Sequence, residues 1–277
     1  MKRILPLLFV ISLLAVGCKR GVEPLPVMSF NVRLGVADDG DHSWVYRREA
    51  AAAMIGDQAP AVFGVQEAYD FQLSFIADRC PGYACVGVGR EDGLSQGEHM
   101  AVFYDTERIE LKDWGTYWLS ETPDEPSLGW DAACKRTATW TLLYDRKAGR
   151  HFYFVNTHLD HVGKEARREG LALIVSRIGA MNPDGYPMVL VGDFNVFPDD
   201  PCLKDLRGMM EDAWESAATV DDGPTWHNWG RVTDRPHIDY VFYSGFSSCE
   251  SMTRITGAYL DCPFVSDHYP VKAVLRY

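Results

Sequence analysis

The chain has 277 residues, 47% hydrophobic and 24% charged, with 39 acidic side chains against 27 basic ones and a formal charge of −12. That balance excludes a disordered chain, a collagen-like chain and a membrane bundle. A chain of this length buries roughly three quarters of its unfolded surface, so no metal or disulfide is needed merely to hold it folded.

In chain order the first feature is a leader. Lys2 and Arg3 precede an apolar stretch, Ile4 to Val16, and a small residue, Gly17, stands immediately before Cys18. Charge, apolar segment and small residue follow the order of a secretory signal, and the stretch falls short of the ~20 residues of a membrane-spanning helix. The string LLAVGC resembles a bacterial lipoprotein signal, although Ala15 stands where such signals usually carry leucine. The resemblance implies cleavage after residue 17, lipidation of Cys18, a tether over 18–26 and an extracytoplasmic domain over 27–277, attached to a membrane and facing the periplasm or cell exterior. An ordinary signal peptide cut nearby is the alternative. Cys80, Cys85, Cys134, Cys202, Cys249 and Cys262 would then meet an oxidising compartment. None is spaced C-x-x-C, so buried thiols or one or two disulfides are expected in place of a cysteine metal site.

Strands are predicted over 27–33, 61–66, 100–104, 137–144, 152–158, 188–191, 238–243 and 271–275, where Val, Phe, Tyr and Thr are bounded by Gly, Pro and Asp. Helical periodicity covers 46–58, 71–78 and 164–181. Only some successive strands have a helix between them, which implies an α/β protein with strands paired in both directions.

Several apolar strands close on polar side chains. VGDFN carries Asp193 and Asn195 on one side with Phe194 on the other, because successive strand residues alternate faces. FVNTHLDH repeats the pattern with Asn156, His158 and Asp160, HIDYVF holds Asp239, and VSDHYPV holds Asp267 and His268. MSFNVR places Asn31 in a strand, and VFGVQEA closes on Glu67. Any one of these suits a turn or cap. Together they are the complement for metal-assisted phosphoryl chemistry, since carboxylates and an amide suit a hard cation and histidine suits proton transfer.

Taken in order, SFNVR, VQEA, NTHLDH, VGDFN, HIDYVF and SDHYPV resemble the endonuclease/exonuclease/phosphatase superfamily, of the deoxyribonuclease I-like kind, from Asn31 to the end of the chain. The resemblance implies a four-layer α/β/β/α sandwich of two mixed sheets flanked by helices. It also implies a metal-dependent phosphoric ester hydrolase with Mg²⁺ or Mn²⁺. Position by position, it implies Glu67 as principal metal ligand with Asn31 beside it and Asp267 completing the network. Asp193 would deprotonate the attacking water, Asn195 would hold the phosphate, and Asp239 would orient His268. His158 would be a second imidazole, with Glu98 as its carboxylate partner or else a solvated turn residue. Arg136 in KRTATW is either a phosphate contact or a buried salt-bridge partner.

Two other patterns carry no chemistry. GLSQG around Ser95 lacks the strand and helix that a nucleophile elbow needs, and Asp38, Asp39 and Asp41 lack the glutamate of a calcium loop, leaving a solvated turn. For the substrate, the charge of −12 disfavours non-specific duplex binding. Trp44, Trp114, Trp118, Trp130, Trp226 and Trp229 read as loop aromatics, and Trp226, His227 and Trp229 as a stacking wall for a sugar or base. GWDAACKR and PTWHNWGR look like segments of a bacterial subgroup of the superfamily whose substrates are not established. A monomeric phosphoesterase for a small sugar or nucleotide ester is expected. An extracytoplasmic nuclease, a non-catalytic surface module and a lipid phosphodiesterase are the alternatives.

Overall fold

A computed structural model describes residues 22–277, so the leader, Cys18 and the first part of the tether lie outside the described residues. The strands are β1 Leu25–Asn31, β2 Val62–Ala68, β3 Tyr83–Val86, β4 His99–Asp105, β5 Ile109–Trp118, β6 Thr137–Asp145, β7 Arg150–His158, β8 Met188–Asp193, β9 Glu211–Asp212, β10 Thr219–Asp221, β11 Asp239–Ser244, β12 Ser248–Arg254 and β13 Val271–Arg276. The helices are α1 Trp44–Gln58, α2 Asp70–Arg79, α3 Lys164–Met181, α4 Lys204–Arg207 and α5 Ala213–Ser216. One sheet has the order β10-β12-β13-β1-β2-β4-β3 and the other β5-β6-β7-β8-β11-β9, both mixed. Leu25 and Pro26, expected in the tether, belong instead to β1, where Leu25 is fully buried and pairs with Leu275.

The four layers follow from strand alternation. In β1, Leu25 and Val27 face the second sheet, whereas Met28 and Phe30 pack with Phe63, Phe103, Met54, Ile55 and Ile76 beneath α1 and α2. Leu171, Ile174 and Ile178 of α3 join the core of the second sheet. The inner-face positions of β1, β7, β8 and β11 end in Asn31, His158, Asp193 and Asp239, so a single alternation that fills the sandwich with apolar groups delivers four polar ones to its rim.

Asn156 sits one inner-face step before His158 and joins the sheets. Its amide nitrogen donates to the Val65 carbonyl (2.8 Å) and the Ala101 carbonyl (2.9 Å), and its oxygen accepts from Gln66 (2.7 Å). Opposite it the chain needs glycine, since a Cβ on Gly64 would stand 2.5 Å from the Asn156 side chain and 2.8 Å from Val191. Gly64→Ala is expected to destabilise the fold by about 1–3 kcal/mol, measured by denaturant unfolding. A loss below about 0.5 kcal/mol, the range of ordinary surface changes, would mean that the sheets separate there without strain.

All six described cysteines are free thiols, which settles the thiol-or-disulfide expectation in favour of thiols. No described helix is long and apolar enough to cross a membrane. The expected loop tryptophans divide: Trp44 heads α1 and is buried, Trp114 and Trp118 lie in β5, and Trp130, Trp226 and Trp229 remain in loops.

Candidate active site

The rim of the sandwich opens into a cleft of about 910 Å³ lined by Glu67, His158, Asp193, Asn195, Asp267 and His268, among others. Strand pairing brings them together. His158 is opposite Asp193 across β7 and β8, and Asp239 is opposite Asp193 across β11 and β8. Glu67 arrives from the other sheet at φ 62°, just where the β2–β4 register shifts, and Asn195 leaves β8 at φ 52°. Left-handed backbone at two non-glycine site residues is strain of the kind that a rigid scaffold stores where side chains must be aimed.

Oδ2 of Asp193 is the focus. Asn31 Nδ2 donates to it (3.0 Å), while His158 Nε2 stands at 3.4 Å and His268 Nε2 at 3.7 Å. The other carboxylate oxygen accepts from the Asn195 backbone N–H (3.0 Å). Asn31 Nδ2 also donates to Glu67 Oε1 (3.0 Å), and Leu34 N–H donates to Glu67 Oε2 (2.9 Å). Burial, reinforced by Asp239 and Glu67 against the opposing His268, pushes the Asp193 carboxyl up to about 7.

His268 has the opposite surroundings. Its Nδ1 lies 2.8 Å from Asp239 Oδ2, and Asp239 is itself held by Thr225 Oγ1 accepting from its N–H (3.2 Å) and by Trp214 donating to its carbonyl (3.0 Å). Burial alone would lower the imidazole, but Asp239 and Asp193 outweigh it and raise it to about 10, so His268 is a cation at neutral pH. His158 is neutral, driven well below its usual range by burial and by the positive Arg136 and Arg90. Asn195 Nδ2 donates to His158 Nε2 (3.0 Å), which leaves the proton on Nδ1, a buried atom without a partner.

Some expected roles need revision. Glu98 does not pair with His158; both of its oxygens meet Arg90 at 2.8 Å, because a guanidinium fork satisfies a buried carboxylate better than one imidazole N–H. Asn31 faces the carboxylates with its nitrogen, its oxygen accepting from Arg33 N–H (2.9 Å), so it orients Glu67 and Asp193 in place of lending them an oxygen. The amide nitrogen of Asn195 is already engaged by His158 and the Leu159 carbonyl (3.1 Å). Arg136 closes a buried ion pair with Asp160 (3.3 Å), as the salt-bridge reading expects, and it also lines the cleft.

Of the stacking wall only Trp226 reaches the cleft. His227 is buried beneath it, its ring 3.9 Å from that of Tyr269, and burial drives its imidazole down to about 3. Trp229 stacks on His42 (4.5 Å) in a smaller adjoining pocket. Asp39 is no solvated turn residue either, since Arg33 grips both of its oxygens at 2.9–3.0 Å; Asp38 and Asp41 are exposed.

Sequence reasoning missed two cationic features. Arg47, in the first turn of α1 and 1% exposed, donates to the carbonyls of Val32 (2.6 Å) and Val265 (3.0 Å), tying the exit of β1 to the segment that carries Asp267 and His268. No local pattern marks it, because a helical arginine is ordinarily solvated. The second feature is the run of basic residues after NTHLDH, which was legible as charge but not as a wall of the cleft.

The donor set fits a divalent cation. Ligand atoms of Glu67, His158 and Asp193 all lie within 4.8 Å of one another, as do those of Asp193, Asp239 and His268. Glu67, Asp193 and Asp267 supply the hard oxygens that such an ion prefers. The profile of the endonuclease/exonuclease/phosphatase family matches residues 28–268. The chain belongs to that family.

Endonuclease/exonuclease/phosphatase proteins of known structure superpose on nearly all of it. The Bacteroides thetaiotaomicron mannosyl-6-phosphatase is 32% identical with a TM-score of 0.88, covering 91% of this chain and 100% of that one. A family member from Bacteroides vulgatus is 34% identical with a TM-score of 0.86, covering 91% and 98%. An uncharacterised protein, L388, of Acanthamoeba polyphaga mimivirus is 23% identical over 261 residues, 85% of this chain and 93% of that one. The chain is therefore a hydrolase of that family on the deoxyribonuclease I-like fold.

Proposed function

We propose that this protein is a divalent-metal-dependent phosphomonoesterase for a small, sugar-sized phosphate ester. One observation carries the reading: a carboxyl poised near neutrality, Asp193, and a protonated imidazole, His268, meet within 3.7 Å at the end of a cleft of small-molecule size. The likeness to a mannosyl-6-phosphatase over that enzyme's whole length supports a sugar phosphate, and the charge of −12 disfavours nucleic acid.

In this reading Glu67, with Asp267 nearby, holds Mg²⁺ or Mn²⁺, which supplies a Lewis acid for the phosphoryl oxygens. Asp193 Oδ2 orients the attacking water and takes its proton. Protonated His268, kept so by Asp239, faces the phosphate and offsets its developing charge. Asn31 and the Asn195 backbone N–H fix the Asp193 carboxylate, and neutral His158, held by the Asn195 amide, packs beside it. Lipidated Cys18 would tether the protein as a monomer to a bacterial membrane, facing the periplasm or the cell exterior; palmitate incorporation that Cys18→Ser abolishes is the expected result, and labelling of the variant would refute the anchor.

The direct test is phosphate release from sugar phosphates, nucleotides, bis-p-nitrophenyl phosphate, DNA and RNA, each with Mg²⁺, Mn²⁺ or chelator. Release from a sugar phosphate, abolished by chelator, is expected. Cleavage of DNA alone, or activity untouched by chelator, would overturn the reading. The pH dependence adds a second check, because His268 must stay protonated: kcat/KM should fall as pH rises through about 10. Asp239→Asn removes the charge that holds the imidazole up, so the falling limb should move toward neutral pH while the maximum drops by about 10²-fold. An unmoved limb would remove His268 from the mechanism.

A further inference from the structure

The cleft gathers the carboxylates of the proposed metal site, but its lining also holds basic residues that the hydrolysis of one phosphate does not use. Arg136, His161, Lys164 and Arg167 all line it. Neither Lys164 nor Arg167 has a carboxylate partner among the described residues; Arg167 donates only to the Asp160 carbonyl (2.8 Å). Arg136 is 5% exposed, and one of its terminal nitrogens, Nη1, is buried without a partner. A buried guanidinium N–H left unsatisfied is costly unless something outside the protein completes it.

The wall is built and not incidental. Asp160, 1% exposed, accepts from the N–H groups of Val162 (2.9 Å) and Gly163 (2.7 Å), from Ala133 N–H (3.2 Å) and from Arg136 Nε (3.3 Å). One carboxylate thereby fixes the turn that presents His161 and Lys164 and the strand entry that presents Arg136. Burial alone would raise that carboxyl, but the backbone donors and Arg136 hold it down at about 2, so the scaffold stays ionised at any physiological pH. The remaining terminal nitrogen of Arg136, Nη2, lies 2.9 Å from His161 Nδ1, which leaves the outer imidazole nitrogen free.

Position gives the scale. Arg136 directly precedes β6, which pairs with β7, which pairs with the β8 strand of Asp193. At about 4.8 Å per strand, its backbone lies on the order of 10 Å from that of Asp193. The cleft that both residues line, about 910 Å³, has room for a phosphorylated monosaccharide and not merely for a single phosphate.

We infer that Arg136, His161, Lys164 and Arg167 form a second anion subsite, and that the preferred substrate is a phosphate ester carrying a second anionic group, phosphate or carboxylate, at its far end. The inference rests on the phosphoesterase reading for its chemistry but not for its binding. Bidentate arginine contacts and a nearby lysine are the usual means of holding either anion.

The test compares glucose 6-phosphate with glucose 1,6-bisphosphate and 6-phosphogluconate, whose second anions are phosphate and carboxylate. In the native protein kcat/KM for one or both doubly anionic probes should exceed that for glucose 6-phosphate by about tenfold or more. Lys164→Ala with Arg167→Ala should bring that ratio within about twofold of one, and Lys164→Arg with Arg167→Lys should restore most of it. Calorimetric binding of the same probes with chelator present is read alongside. Equal handling of all three probes by the native protein, or a ratio unchanged in the double alanine variant, overturns the subsite even if every probe is hydrolysed. If none is hydrolysed but the doubly anionic probes bind preferentially through Lys164 and Arg167, the subsite stands and the hydrolase reading falls.

Discussion

Asp193→Asn is expected to lower kcat for phosphate release by about 10²- to 10⁴-fold, the range lost when a positioned proton acceptor is removed. The variant keeps the shape of the side chain and one acceptor oxygen, enough for either the Asn31 amide or the Asn195 N–H but not for both, so the loss falls mainly on chemistry and only slightly on folding. Stability should be unchanged or higher near pH 7. A carboxyl raised toward 7 by burial and by Asp239 opposes folding as it ionises, an opposition absent at low pH and growing as pH climbs from the ordinary carboxyl range through about 7. Asparagine carries no such charge. Turnover near native in a folded Asp193→Asn protein would remove the residue from the reaction; a collapse in melting temperature would make its role structural.

Glu67→Gln is expected to reduce kcat/KM by about 10²- to 10³-fold at fixed Mg²⁺, matching several kcal/mol of charge stabilisation. It should also raise the metal concentration needed for half-maximal activity. Glu67 is the one rim carboxylate supplied by the first sheet, aimed by its left-handed backbone and anchored by Leu34 N–H. The amide keeps one oxygen for that contact, so an intact fold with a displaced metal titration is the expected signature. An unchanged metal requirement would place the ion elsewhere in the cleft.

The centre of the fold was legible in the sequence, and its margins were not. The eight expected strands correspond to β1, β2, β4, β6, β7, β8, β11 and β13 within a few residues. The five that escaped are the four sheet edges, β3, β5, β9 and β10, together with β12 beside an edge. Edge strands carry charge and polar groups on the side facing water, as in the run IELKD of β5, and that blurs the alternation by which a strand is recognised. The rim residues were legible for the converse reason: an apolar strand that ends abruptly in Asp, Asn or His is conspicuous. Partnerships were harder. Nothing near Glu98 in sequence announced that Arg90, eight positions earlier, would take both of its oxygens, and the buried depth of His227 depends on Tyr269 from a different segment.

The position of β1 has a bearing on biosynthesis. That strand, near the start of the described chain, has β13 on one side and β2 on the other, and Arg47 joins its exit to the Val265 carbonyl. A ribosome that has made the first two hundred residues has therefore produced Asn31, Glu67 and Asp193 but neither β13, the neighbour of β1, nor the segment that brings His268. Until β13 has been made, the middle of the first sheet keeps an open edge and the rim lacks His268, so the catalytic set is completed only by the last strand of the chain.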